Sequence, residues 1–463
     1  MARVQAELLV ETIHANNFIV EKNLEAGKLD CLPAFKSRKR CFSMEKSAST
    51  QSSSPSQPVS LLTAIGPGIL MAAAAIGASH LVASTRAGAE FGWQLAWLIL
   101  AVNLLKYPFF AAGARYTAAT GQSLLQGYLQ QGRGYLLLFM VLNSIAAVAS
   151  TAGVAMLTAA MLSLFVPLAI DVLALIVLVS SLLLLTLGHY ALLDKVTKVI
   201  MLLLTITTLI AVMLAFNSSA SIAPEIASAS PWQWAQIGFL VAMMGWMPAP
   251  IEVSTWNSLW LLEKQKTHHI SPQQSLFDFN LGYATTAVLA VVFLALGALV
   301  MHGSGEEFSA SGVKFAAQLI DMYTHVLGEE TRLLIGSVAL LCIFSTTVTV
   351  IDGYSRTLDH GYQLLSKQNS SNSRLTITML TVSALGLGII LFFKGALLPL
   401  LEFVMILAFL TTVVFAWLNY KLMTCDALPK AQQYGTRMKV LSALGFIYLI
   451  SFALLFLYWL GTK

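Results

Sequence analysis

The segment Trp246-Met247-Pro248-Ala249-Pro250-Ile251-Glu252 decides how this chain folds. It interrupts an apolar run that extends from 235 to 262. Two prolines two residues apart remove two backbone donors and clash with the preceding turn, so no continuous helix passes through them. The run as a whole is long enough to cross a bilayer. Backbone groups freed at that depth must face protein or a water-filled cavity. A break in mid-span therefore marks a place where something polar is handled.

The rest of the composition agrees with a membrane environment. The chain has 463 residues, 57% hydrophobic and only 11% charged, with 27 basic and 22 acidic side chains. Ordinary soluble domains carry about 25% charged residues. Fourteen of the charges fall in the first 60 residues, which leaves the remainder sparser still. A soluble enzyme, a nucleic-acid binder and a disordered chain are excluded together, and an all-α polytopic membrane protein remains. No nucleic-acid partner is expected from the net charge of +5, because excess Lys and Arg in such proteins marks cytoplasmic loops.

Residues 1–60 read as a disordered cytoplasmic tail. Lys36-Ser37-Arg38-Lys39-Arg40 is basic, and Ser47 to Ser56 is a Ser/Gln/Thr/Pro tract. Leu8-Leu9-Val10 is too short for a signal-peptide core. Met44 is an alternative start, since nothing before it resembles the rest. Cys31, Cys41, Cys342 and Cys425 form no CxxC pair, so neither a disulfide framework nor a zinc site is expected.

Eleven segments are long and apolar enough to span: 62–84, 93–113, 135–165, 169–187, 197–216, 235–262, 279–302, 332–354, 375–394, 396–420 and 439–460. With the N-terminus inside, 13 Lys and Arg fall in cytoplasmic loops and five in outer segments. The loop 217–233 has no Lys or Arg and 303–331 is acidic, so both belong outside. The expectation is a multi-pass protein of the cytoplasmic membrane, N-terminus cytoplasmic and C-terminus outside. The transmembrane domain, 61–463, divides into a first repeat (61–216), a second repeat (234–424) and an extra helix (437–460).

A second break is expected in the first span, at Gly77-Ala78-Ser79, after the entry Gly66-Pro67-Gly68. Spans one and six occupy matching places in the two halves. Interrupted helices at such places point to a transporter's central site.

The residues around both breaks resemble the NRAMP family of proton-coupled divalent-metal transporters. Gly66-Pro67-Gly68-Ile69-Leu70-Met71 is similar to that family's first-helix opening, and Ala87-Gly88-Ala89, Phe91-Gly92 and Leu95-Ala96-Trp97 follow in order. Ala114-Arg115 and Ala119-Thr120-Gly121 resemble the end of its second helix, and Met247-Pro248 its sixth. The resemblance implies a LeuT-type 5+5 inverted repeat with one extra helix, eleven transmembrane helices in all, helices 1 and 6 broken. It also implies that the protein is not an enzyme. The signatures themselves are altered. Where the family has Asp-Pro-Gly-Asn, this chain has Gly77-Ala78-Ser79-His80, and where it has Met-Pro-His, this chain has Met247-Pro248-Ala249. The family's further histidine on that helix falls at Ser254, and 135–165 contains no carboxylate for proton exit.

What remains defines the candidates. Gly77, Ser79, His80, Met247, Ala249 and Glu402 are expected to line the substrate site. Met247 offers a thioether and His80 an imidazole, both suited to transition metals, and Glu402 offers a carboxylate. These three are the candidate metal ligands. Lys106, Glu252 and Asp352 are the other ionisable groups expected within or near the membrane, where each is a functional hypothesis by default. Asp352 is expected to pair with Arg356, and Lys106 with Glu252 or Glu402. A lysine-neutralised cavity suits a monovalent or organic solute better than a divalent ion.

Three readings follow. The first is an NRAMP-like secondary transporter for a metal cation with a rebuilt site. The second is a transporter of a small organic solute on the same scaffold, with backbone N–H groups at Gly77 and Ser79 facing a carboxylate. The third is a non-transporting membrane sensor. The expected partners are the lipid bilayer and a metal cation or small solute. No permanently bound cofactor and no obligate protein partner is expected.

Overall fold

The computed structural model describes residues 66–462, apart from 188–189, 219–229, 369–370, 394 and 427. The tail 1–60, with its basic cluster, Cys31, Cys41 and Met44, lies outside the described residues, as does most of the loop 217–233. Every regular element described is helical; an isolated bridge pairs Ser311 with Ala396. Eight helical stretches are long and apolar enough to cross a membrane, and two shorter apolar helices, Ile170–Thr186 and Trp234–Trp246, accompany them.

The chain begins with α1 (Pro67–Ala75), a π-helical stretch (Ile76–Ser84) and α2 (Thr85–Phe91). A 3-10 turn leads into α3 (Ala96–Thr120). Next come the short α4 (Leu124–Gln131), α5 (Arg133–Leu162), α6 (Ile170–Thr186) and α7 (Tyr190–Ser218). The second half runs through α8 (Ile237–Trp246), α9 (Val253–Gln265), α10 (Pro272–Val300) and α11 (Gly312–Leu327). It ends with α12 (Arg332–Ser366), α13 (Asn372–Phe393), α14 (Leu397–Met423) and α15 (Thr436–Gly461).

The two expected breaks take different forms. Between α8 and α9 the helix stops, as two prolines require, and the Met247–Pro248 peptide is cis. In the first span the helix does not unwind. It widens into nine π-helical residues and continues. Residues 76–84 contain no proline, so every backbone N–H is present and can reach a carbonyl five residues back. The expectation of an unwound Gly77-Ala78-Ser79 segment is corrected accordingly.

Two helices lie in stretches expected to be plain loops. α4 is entered through a capping box, Ser123 with Gln126. α11 places Phe315, Ala316, Leu319, Ile320 and Tyr323 on one buried face within the acidic loop. α12 also runs on to Ser366, so the Asp352–Arg356 pair sits inside a helix and not at its end.

α1 and α2 pack along α10 through glycines. A Cβ on Gly88 would lie 1.9 Å from the carbonyl oxygen of Leu294, and one on Gly297 would lie 2.1 Å from that of Thr85. Backbones this close leave no room for a methyl, which is how helices associate where lipid supplies no hydrophobic drive. Gly388, by contrast, would meet nothing within 4 Å. Gly88→Ala is expected to lower the stability of the detergent-solubilised protein by about 1–3 kcal/mol, the usual cost of overpacking. Gly388→Ala is expected to leave it unchanged. Thermal unfolding followed by size-exclusion recovery measures both.

Candidate substrate site at the helix interruptions

The end of α8 must satisfy carbonyls that the prolines leave without partners. Lys106 does this. Its Nζ donates to Met244 O at 2.6 Å and to Gly245 O at 3.1 Å, and the residue is fully buried on α3. The expected ion pair with Glu252 or Glu402 is replaced by this cap. A cation at a helix C-terminus also meets the negative end of the helix dipole.

Glu252 stands at the other side of the break, as the residue that opens α9. A carboxylate there meets the positive end of the α9 dipole. It is fully buried. Its Oε1 accepts from Tyr354 Oη at 2.9 Å, and its Oε2 has no hydrogen-bond partner among the described residues. Tyr354 in turn lies 3.1 Å from Ser150 Oγ.

A cavity of about 40 Å³ lies between the two interruptions. Ala78 and Ser79 contribute from the π-helical stretch, Trp246 and Ala249 from the α8–α9 break, and Ser150, Thr346, Trp256 and Tyr354 from α5, α12 and α9. One water needs about 10–15 Å³ measured this way, so the space suits an ion or a few waters. The wall offers hydroxyls and aromatic rings, and its link to a carboxylate is Tyr354 to Glu252.

Of the expected site residues, Ser79 and Ala249 line this cavity. Ser79 Oγ bonds to Pro248 O at 3.1 Å and to Ala75 O, joining the π-helical stretch to the break. Met247 is fully buried beside the cavity, with Ser84 Oγ 3.6 Å from its sulfur. His80 points elsewhere. Its Nε2 lies 2.7 Å from Thr286 O, and its Nδ1 lies 2.8 Å from Ser79 Oγ and 3.1 Å from Ala75 O. Both ring nitrogens are therefore engaged, and the ring meets Phe293 edge-on at 6.2 Å. Gly77 faces Thr346 so closely that a Cβ would lie 1.9 Å from Oγ1 and 2.9 Å from Thr346 Cβ. No side chain, and so no carboxylate, fits at position 77 without moving α12.

Glu402, on α14, is not among the cavity-lining residues and meets the start of α2. There it pairs with Arg86 at 2.5 Å, and Arg86 also holds Glu90 at 2.5 Å and covers the Phe239 ring at 4.9 Å. Asp352 is buried and bound by Arg356 Nε at 2.7 Å. Among the described residues no three His, Cys, Asp or Glu side chains converge as a metal-binding group. The expected trio of Met247, His80 and Glu402 is thus not brought together.

Sequence reasoning missed Tyr354, Trp246, Trp256, Ser150 and Thr346, because aromatic and hydroxyl residues in an apolar run carry no signal of their own. It also missed Asp278, whose carboxylate accepts from Gly66 N at 2.9 Å and Gly68 N at 2.7 Å and so caps α1. The expected seventh span began at 279, just past Asp278 and seven residues after α10 begins at Pro272.

An apolar helical bundle with a broken helix beside a small buried cavity places the chain among polytopic membrane proteins. The family model for natural resistance-associated macrophage protein-like proteins matches residues 68–459. The chain belongs to this family, one of transporters and not of enzymes, and is a multi-pass membrane protein. An uncharacterized protein of Pasteurella multocida (strain Pm70) is 48% identical over 404 residues, covering 86% of this chain and 92% of its own length. A mutant of the Eremococcus coleocola manganese transporter superposes with a TM-score of 0.62 at 16% identity, over 85% of each chain. MhsT, solved with L-phenylalanine, gives a TM-score of 0.56 at 11% identity, over 84% of this chain and 98% of that one. The last two likenesses establish the fold.

The capped break yields a prediction. Lys106→Met leaves two carbonyls unpaired and removes the cation nearest Glu252, and is expected to destabilise by about 3–5 kcal/mol. The double variant Lys106→Met/Glu252→Gln, with no buried charge left at the break, is expected to be more stable than the single one. Thermal unfolding of the purified proteins decides the order.

Proposed function

We propose that this chain is a secondary active transporter that moves a metal cation across the cytoplasmic membrane by alternating access. Its transmembrane domain is read as eleven crossings: a 5+5 inverted repeat, 61–216 and 234–424, followed by an extra helix at 437–460. The N-terminus is cytoplasmic and the C-terminus outside, as the loop charges ask. The observation that carries the reading is the cavity walled by the π-helical stretch and the α8–α9 break, small enough to suit an ion. Family membership supports transport, and the manganese transporter on the same fold supports a metal as cargo.

The cation is not held by the family's usual set. The groups at hand are Ser79 Oγ and the hydroxyls of Ser150, Thr346 and Tyr354 in the wall, with Met247 next in sequence to Trp246 of the lining and Glu252 acting through Tyr354. His80 serves the packing of the π-helical stretch. Glu402 belongs to the outer closure with Arg86, and Asp278 closes the opposite end by capping α1. With both closures made, the arrangement fits an occluded state.

Reconstituted in vesicles, the protein is expected to move Mn²⁺ or Zn²⁺, detected with an entrapped metal-sensitive dye. Met247→Ala and Ser79→Ala are each expected to cut uptake by about tenfold, the effect of losing roughly 1.4 kcal/mol of binding. Absence of flux for Mn²⁺, Zn²⁺ and Mg²⁺ alike would remove the metal reading. A second reading, transport of a small organic solute, is favoured by one observation: the indole N–H groups of Trp246 and Trp256 are buried without partners among the described residues, and both side chains line the cavity. Thermal-shift screening against amino and organic acids separates the two.

A further inference from the structure

A second cavity lies along the same two helices as the central one. Its volume is about 870 Å³, and its walls include Trp260 and Glu263 of α9, Lys266 just past its end, and Arg356, Asp359 and His360 of α12. The central cavity is walled by Val253 and Trp256 of α9 and by Val350 and Tyr354 of α12. On α9, Trp256 and Trp260 are four residues apart, so about one helical turn separates the two spaces.

That turn is filled by aromatic rings. Trp256 stands edge-on to Tyr354 with centroids 4.8 Å apart, and its ring lies 6.1 Å from that of Trp260. Trp256 is 2% exposed and Tyr354 1%. The two differ in how they are held. Tyr354 is tied by its hydroxyl to Glu252 and Ser150. The Trp256 Nε1 has no hydrogen-bond partner among the described residues, so the indole is kept in place by packing. It lies directly against Gly353, where a Cβ would come within 2.6 Å of Trp256 Cδ2 and 2.8 Å of Cε2. A ring held only by packing turns out of the way without breaking a hydrogen bond.

We propose that Trp256 is the inner gate of the transport path: its indole, seated on Gly353 and against the fixed ring of Tyr354, separates the central cavity from the α9–α12 vestibule. Displacing it joins the two spaces and gives the cavity an exit on the face that carries Lys266 and Arg356. On this path the cargo passes from a wall of hydroxyls to a wet, charged vestibule, where hydration is restored. The purpose of the gate rests on the transporter reading; its test does not, because it reads accessibility and not flux.

The test places a reporter thiol in the central cavity. Val350→Cys is slightly smaller than the native residue and lines that cavity. The probe is a membrane-impermeant trimethylammonium methanethiosulfonate applied to vesicles of either sidedness, counted over the signal of the chain without the added cysteine. With Trp256 intact, labelling from the Lys266 face is expected to be slow. Trp256→Ala is expected to raise that rate by at least about tenfold, the ratio given by roughly 1.4 kcal/mol lost from the closed state. Trp256→Phe is expected to keep most of the closure. Gly353→Ala removes no wall side chain but pushes the indole off its seat, so it too is expected to speed labelling from that face. Rates unchanged in both Trp256→Ala and Gly353→Ala would overturn the proposal. So would equal acceleration from the opposite face, which would mean general loosening. If the labelling pattern holds but no solute is moved, the partition stands and the transporter reading falls.

Discussion

A buried lysine and a buried glutamate flank the break in one interrupted helix, and the rest of the site depends on that break. Breaking a helix inside a bilayer exposes carbonyls at one end and N–H groups at the other, each costing several kcal/mol if left bare. Here Lys106 takes carbonyls at the end of α8 and Glu252 stands at the start of α9. Each charge matches the dipole of the end it meets. The pair therefore does not behave as a salt bridge whose members happen to flank the break. Lys106 satisfies its terminus by hydrogen bonds, whereas Glu252 meets its own only through the helix dipole and accepts its hydrogen bond from Tyr354. This also explains why a lysine is tolerated at full burial: its partners are carbonyls that need a donor.

The first interruption is solved in another way, and the difference follows from a single residue type. The family signature there contains a proline, and this chain has none between 76 and 84. With all donors present, the helix keeps its hydrogen bonds by widening. Widening turns side chains differently from unwinding. Gly77 is pressed against Thr346, His80 is turned to α10, and Ser79 alone reaches across to Pro248. Losing the carboxylate at position 77 and losing the proline are thus coupled. A π-helical stretch packed this tightly has no space for the acid, and without the acid there is no need for an unwound segment to present it.

Much of the architecture was legible from the sequence because it rests on signals that act locally. Apolar length marked the spans, Pro248 and Pro250 marked the second break, and the entry Gly66-Pro67-Gly68 with its neighbours pointed to the family that the comparison establishes. The site was legible only in part. Ser79 and Ala249 line the cavity, whereas His80 and Glu402 were judged by chemistry alone, and chemistry does not reveal direction. His80 differs from Ser79 by one position, about 100° on a regular helix, and the π-helical turn that sets its direction depends on contacts with α10. Glu402 was put forward for its carboxylate; the arginine that claims it is 316 residues earlier. Lys106 was expected to seek a carboxylate, because partners are easier to imagine among charges than among backbone oxygens.

The closures at the two ends have the same logic as the break itself. Arg86 joins α2 to Glu402 of α14 and covers Phe239 of α8. Asp278 of α10 joins the N-terminus of α1 through two backbone N–H groups. In both cases the tie runs between the first helix and a helix of the second half, and in both it uses a charge-assisted hydrogen bond that water can replace. α1, the π-helical stretch and α2 form one unbroken rod, so an opening at one end is transmitted along it without a hinge at Gly77. Of the two helices, only the one formed by α8 and α9 is broken. It is discontinuous at two prolines, and Lys106 and Glu252 sit on the two sides of that break. A transporter with one rigid and one jointed core helix would move its gates asymmetrically, with α9, and the tryptophan it carries, as the part free to swing.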